Sequence, residues 1–211
     1  MGKAEAQAGR IIRPDFEGEH MTIAVDHFAQ ALGGFAWNYS LIEYAVQSTL
    51  WKLAGVKEPL AQAIFTGIRV DGASQMISRI ADAQEWPQAK RKEAKYIFDQ
   101  LSLINKLRND VLHYGAYRLG SDYIISNRRW VHTPPRIREL RITPATLEAA
   151  SEDIGQILTR LHFLDGSAKN FPPEISDGMK SVLKASWRFK PPPLAWPKDN
   201  TKNGPRKKLP N

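Results

Sequence analysis

Phe35, Tyr39, Ile42, Val46, Leu50 and Leu53 fall at steps of three and four. That spacing sets all six side chains on one stripe of an α-helix and on no single face of a strand. It predicts helix from Thr22 to Ala54, bent or split at Gly33-Gly34 and stopped by Gly55. Ile97, Leu101, Ile104 and Val111 make a second stripe within "EWPQAKRKEAKYIFDQLSLINKLRNDVLHYG". Between the two, Glu58-Pro59 opens a short helix to about Thr66, and Asp71 caps a third helix through Ile80. Thr143-Pro144 starts the last long helix, with Leu147, Ile154, Leu158 and Leu161 as its stripe and Leu164 near its end. Helices that are apolar on one side only must bury that side against each other, so the expected body is a helical bundle.

One stretch breaks the period. "AYRLGSDYIISNRRWVHTPPRIRELRIT" has short apolar runs, β-branched residues and a Gly-Ser-Asp turn. It predicts a hairpin near 116–126 and more extended chain near 129–142. The fold class is therefore mainly α, with a small β-hairpin insertion before the last long helix.

Charge divides the chain further. The net charge of +8 sits in residues 179–211, where nine Lys and Arg face a single acid, Asp199. The preceding residues balance at 21 basic against 21 acidic. A basic, Pro-rich tail thus follows a neutral body. The expected organisation is a flexible segment over 1–20, a helical domain over 21–166, and a tail over 167–211 with one short helix near Glu174–Trp187. There is no Cys, which excludes disulfides and thiolate chemistry. No apolar run approaches the ~20 residues of a membrane span, and no signal peptide is read at the N-terminus, so a cytoplasmic location is expected.

The chemistry concentrates in "LRNDVLHYG", residues 107–115. Extending the fourth helix's stripe by four residues from Ile104 reaches Arg108. A buried guanidinium stays charged, so a carboxylate, a second chain or a phosphate has to meet it. Asn109 and His113 share a row at the i, i+4 spacing, while Arg108 and His113 lie about 140° apart on the helix. A cationic fork suits phosphate oxygens, and an imidazole moves protons near neutral pH. These are the parts that metal-free RNA cleavage needs, and a two-fold dimer supplies a second imidazole. Asp110 is expected to face solvent.

The stretch "RNDVLH" resembles the Arg-x4-6-His signature of HEPN domains (higher eukaryotes and prokaryotes nucleotide-binding). The resemblance implies an α-helical bundle that dimerises and, in many members, a metal-independent ribonuclease. It implies Arg108 as the phosphate-binding cation, His113 as acid and base, and Asn109 as their polar companion. Products would carry a 2′,3′-cyclic phosphate and a 5′-hydroxyl. It also implies a toxin or phage-defence setting, with an antitoxin or regulatory protein as a further partner. "FAWNYSLIEYAVQSTL" resembles the first helix of such domains, where an acidic residue faces the site, and Glu43 is the candidate. The β insertion departs from the minimal bundle.

Other readings stand beside this one. Arg108 paired with Glu43 and His113 capping a helix end would be purely structural. A non-catalytic module binding RNA, a nucleotide or a protein is the alternative function. Arg128, Arg129, Arg136, Arg138 and Arg141 accompany one acid, Glu139, in the extended region. They read equally as a track for an RNA backbone or as a solvated strand edge. Trp187, Phe189 and Trp196 among tail lysines suit single-stranded RNA, or a linker or protein dock. His27, His132 and His162 stand without ligand-spaced partners, so neither metal nor cofactor is expected.

Overall fold

The computed structural model describes residues 19–195 apart from 121, 130 and 132–136. Four helices form the body: α1 (Glu19–Ala54), α3 (Val70–Ala83), α4 (Gln88–His113) and α5 (Pro144–Leu164). The shorter α2 (Glu58–Phe65) and α6 (Pro173–Val182) flank them. α1 packs along α3 and α5, and α4 packs along the same two, so α1 and α4 sit on a diagonal. α5 runs parallel to α1: His27 meets Glu148 at one end and Lys52 meets Asp165 at the other. α4 runs against its neighbours, with Gln100 on Asp153 and Glu93 on Arg160. Phe35, Ile42 and Leu50 of α1 join Ile77, Ile97, Leu101, Ile104, Leu147 and Ile154 in the sealed core.

Three details differ from the sequence reading. Gly33 and Gly34 do not split α1, which is one continuous helix of 36 residues. Both glycines are exposed, and buried Phe28 and Phe35 anchor the turns on either side of them. Asp71 is not the cap of α3; Arg69 holds that position and Asp71 lies in the first turn, where a negative charge still favours the helix dipole. The stripe of α4 steps by three from Ile104 to Leu107 and then to Val111, all buried. Arg108 therefore lies at the margin of the seam and is half-buried. At α5 the reading holds: the Thr143 hydroxyl caps the helix, accepting from the Thr146 amide at 3.3 Å.

The insertion is a three-stranded antiparallel sheet in the order β1 (Gly115–Leu119), β2 (Asp122–Ser126), β3 (Glu139–Ile142). Leu119 pairs with Asp122 across a tight turn, which Gly120 makes possible at φ +62°. Tyr123 of β2 stacks on Phe28 of α1 with ring centroids 3.8 Å apart, which fixes the sheet over the N-terminal part of α1.

The chain after α5 is not a detached linker as far as residue 195. A turn of 3₁₀ helix (Ser167–Asn170) and α6 lead into an extended strap, residues 186–195, laid on the body. Phe189 is buried, and Trp187 stacks on Tyr96 at 4.8 Å. Asp153, sealed inside α5, accepts hydrogen bonds from the Arg188 and Phe189 amides and from Gln100 Nε2 at 2.8–2.9 Å. Buried Arg160 sits beside the stacked Tyr96–Trp187 pair, its guanidinium carbon 5.1 Å from the Tyr96 ring and 5.0 Å from the Trp187 ring, and donates to Glu93 and to the carbonyls of Leu183 and Ala185. The strap ends as a short addition to the sheet: the Arg141 amide donates to Pro193, and the Ala195 amide donates to Glu139. Two of the three tail aromatics are thus committed to packing, and Trp196 lies outside the described residues. No helix among the described residues is long and apolar enough to cross a membrane.

Candidate functional site

The site follows from a mismatch of helix lengths. Asn105 of α4 lies level with the start of α3, its Nδ2 3.5 Å from Asp71. Residues 106–113 of α4 therefore run past α3, about 12 Å of helix at 1.5 Å per residue. Tyr39 of α1 reaches across the diagonal, and its hydroxyl donates to Asn105 Oδ1 at 2.6 Å.

Arg108 lies on this overhanging part of α4, beside Tyr39. Its guanidinium carbon lies 5.4 Å from the centroid of the Tyr39 ring, within cation–π range. Its Nη1 donates to Asn109 Oδ1 at 3.1 Å. Its Nε is buried and has no hydrogen-bond partner among the described residues. Neither Glu43 nor any other acid comes within 4.0 Å of the guanidinium among the described residues. Glu43 is half-buried on the same row of α1 as Tyr39. Burial, then the negative charge of Glu43, push the Tyr39 phenol above its ordinary range, and Arg108 acts in the opposite sense. The phenol is therefore a fixed hydrogen-bond donor at neutral pH rather than a titrating group.

His113 is the last residue of α4 and is exposed, as is Asn109 one turn earlier. Arg108, Asn109 and His113 thus occupy one end of one helix, about 7.5 Å of rise from first to last. The arrangement offers a cationic fork half in solvent, an amide fixed against it, and an imidazole open to solvent at the helix end. Among the described residues no cluster of His, Asp or Glu has the form of a metal site.

Asp110 corrects its expectation. It is buried, and Arg138 Nη2 donates to its Oδ2 at 3.0 Å. Burial raises its carboxyl above the ordinary range, and Arg138 offsets part of that. The pair ties the motif helix to the sheet. Arg138 also donates its backbone N–H to Asn127 Oδ1 at 2.7 Å. Arg128 pairs with the buried Glu139 at 3.2 Å, and Arg141 with Asp122 at 3.3 Å. The β-region arginines therefore face three carboxylates, where the sequence reading counted one. Arg129 is exposed, and Arg136 and His132 lie outside the described residues. His27 pairs with Glu148, and His162 Nδ1 lies 2.9 Å from the Ser167 hydroxyl.

Sequence reasoning missed Tyr39 and Asn105 as neighbours of Arg108, and Asp71 behind Asn105. A signal existed for two of them: Tyr39 precedes Glu43 by one turn, and Asn105 precedes Arg108 by three residues. It also missed Asp153 and Arg160, which stand seven residues apart on the buried face of α5. No protein-family model, no curated protein and no solved structure matches this chain.

Proposed function

We propose that this chain is a metal-independent endoribonuclease of the HEPN type, acting as a homodimer. The observation that carries the reading is Arg108: a half-buried guanidinium with no carboxylate in contact among the described residues, beside Asn109 and one and a half turns from an exposed His113. Buried Arg160, by contrast, holds Glu93. Arg108 instead leaves its charge for an anion.

The chemistry is an in-line transfer. The RNA 2′-hydroxyl attacks the adjacent phosphorus while an imidazole takes its proton. The P–O5′ bond breaks, and a protonated imidazole supplies the proton to the leaving oxygen. A 2′,3′-cyclic phosphate and a 5′-hydroxyl result. Arg108 pairs with the non-bridging oxygens, where negative charge accumulates. Asn109 fixes the fork through its Oδ1. One His113 per chain supplies one acid–base group, and a second copy supplies the other. Support for a two-chain site comes from exposed apolar groups: Leu112 lies between Asn109 and His113, and Trp37, Leu41 and Tyr44 form an outward stripe on α1.

The test is cleavage of labelled single-stranded RNA in EDTA by wild type, Arg108→Ala and His113→Ala. The expected loss is at least about 100-fold in each variant. Equal cutting by all three proteins overturns the assignment. The α1 stripe equally supports a non-catalytic module that docks a partner through Trp37, Leu41 and Tyr44. RNA binding without cleavage across varied substrates would favour that reading. A toxin or defence role, and an antitoxin, follow only from the resemblance of the motif.

A further inference from the structure

A guanidinium that keeps its charge free must be held by something other than an acid. Three observations identify what does so here. The Tyr39 ring underlies Arg108 at 5.4 Å. The Arg108 Nε is enclosed without a hydrogen-bond partner among the described residues, so nothing polar fixes the inner end of the fork. The ring is itself fixed: its hydroxyl donates to Asn105 at 2.6 Å, and Asn105 Nδ2 is directed to Asp71 at the start of α3. α1, α3 and α4 are thus joined at one point, directly beneath the cation.

From this geometry we infer that Tyr39 is a positioning residue for Arg108, its ring setting the height and tilt of the guanidinium and the Asn105–Asp71 link setting the ring. The inference rests on the ribonuclease reading for its kinetic consequence and on the contacts alone for its structural one. An aromatic face suits this task better than a carboxylate. It attracts the cation without neutralising it and accepts none of the fork's hydrogen bonds, so the outer N–H groups stay available to a phosphate. Asp71 stays one residue away, beyond Asn105, where it orders the amide without capturing the guanidinium.

Tyr39→Leu keeps an apolar side chain in the core and removes both ring and hydroxyl. Its expected effect is a fall in kcat of about tenfold or more, with KM changed less than about threefold, because the fork acts on the transition state more than on the bound RNA. Tyr39→Phe keeps the ring and is expected to recover kcat to within about threefold of wild type. Ile42→Val, a fully buried neighbour on the same helix, controls for loss of stability and is expected to leave kcat unchanged. In an Arg108→Ala background, Tyr39→Leu should add less than about twofold. An unchanged kcat in Tyr39→Leu, or the same fold-loss with and without Arg108, overturns the inference.

A readout without turnover separates this from failure of the ribonuclease reading. The Arg108 Nε–H is enclosed, and its ¹⁵N resonance, identified by its disappearance in Arg108→Lys, should exchange slowly with solvent. Tyr39→Leu should speed that exchange by about tenfold or more, and Ile42→Val by less than about threefold. If the protein cuts no RNA but the exchange result holds, the positioning role stands and the catalytic reading falls. If Tyr39→Leu leaves the exchange rate at the wild-type value, the positioning role falls whatever the activity.

Discussion

Asp153 is the sharpest place to test the architecture. It is fully buried on α5, and its two oxygens accept from Gln100 Nε2, the Arg188 amide and the Phe189 amide at 2.8–2.9 Å. Asp153→Ala leaves the Arg188 and Phe189 amides without their acceptor, while Gln100 Nε2 keeps the Phe189 carbonyl at 3.2 Å. Each enclosed, unsatisfied donor costs about 1–3 kcal/mol, partly offset by no longer desolvating a carboxylate. The strap limits the loss, because it can detach instead and give up the burial of Phe189, worth about 2–3 kcal/mol. The expected destabilisation is therefore about 2–3 kcal/mol, or a Tm lower by roughly 5–10 °C for a chain of this size. Asp153→Asn should fall between, since an amide has one acceptor oxygen for three donors. Equilibrium denaturation reads the free energy, and limited trypsin digestion at Arg188 and Lys190 reads strap release. A variant within about 1 kcal/mol of wild type, with the strap equally protected, would refute the view that this carboxylate holds the C-terminal segment to the bundle.

Other expectations follow from the same geometry. Burial raises the Asp110 carboxyl, so ionised Asp110 opposes folding near neutrality, and that cost fades as pH falls through the raised folded-state value towards the ordinary value of the unfolded chain. Stability of wild type relative to Asp110→Asn should therefore increase on acidification through that window, and a flat difference in denaturant titrations would contradict it. Gly34 is exposed within α1, and an added Cβ meets nothing within 4 Å, so Gly34→Ala should stabilise by about 0.5–1 kcal/mol. Gly166 follows α5 at φ +77°, so Gly166→Ala should destabilise by about 1 kcal/mol; thermal melts compare the two. Truncation after Ala195 removes Lys198, Lys202, Arg206, Lys207 and Lys208 without touching the strap. If these residues neutralise RNA phosphates, it should flatten the salt dependence of RNA binding by up to about 0.7 per lost contact in log–log slope.

The sequence by itself determined the helices, the hairpin and the cap at Thr143, because each rests on contacts within a few residues: a stripe repeating every three or four, a turn glycine, a hydroxyl three residues from its amide. It also marked Arg108, Asn109 and His113 as neighbours, since one helix places them. What it left open was decided between elements. The depth of Arg108 depended on whether the α4 seam stepped by three or four after Ile104, and packing into the core chose Leu107. Asp110 looked solvated until β3 brought Arg138 to it from 28 residues away. Trp187 and Phe189 looked like tail residues because the groups that bind them, Asp153 and Arg160, lie more than 25 positions earlier on a face that reads as apolar. Local periodicity fixes which way a side chain points along its own helix; only the third dimension supplies the partner that makes a buried charge affordable.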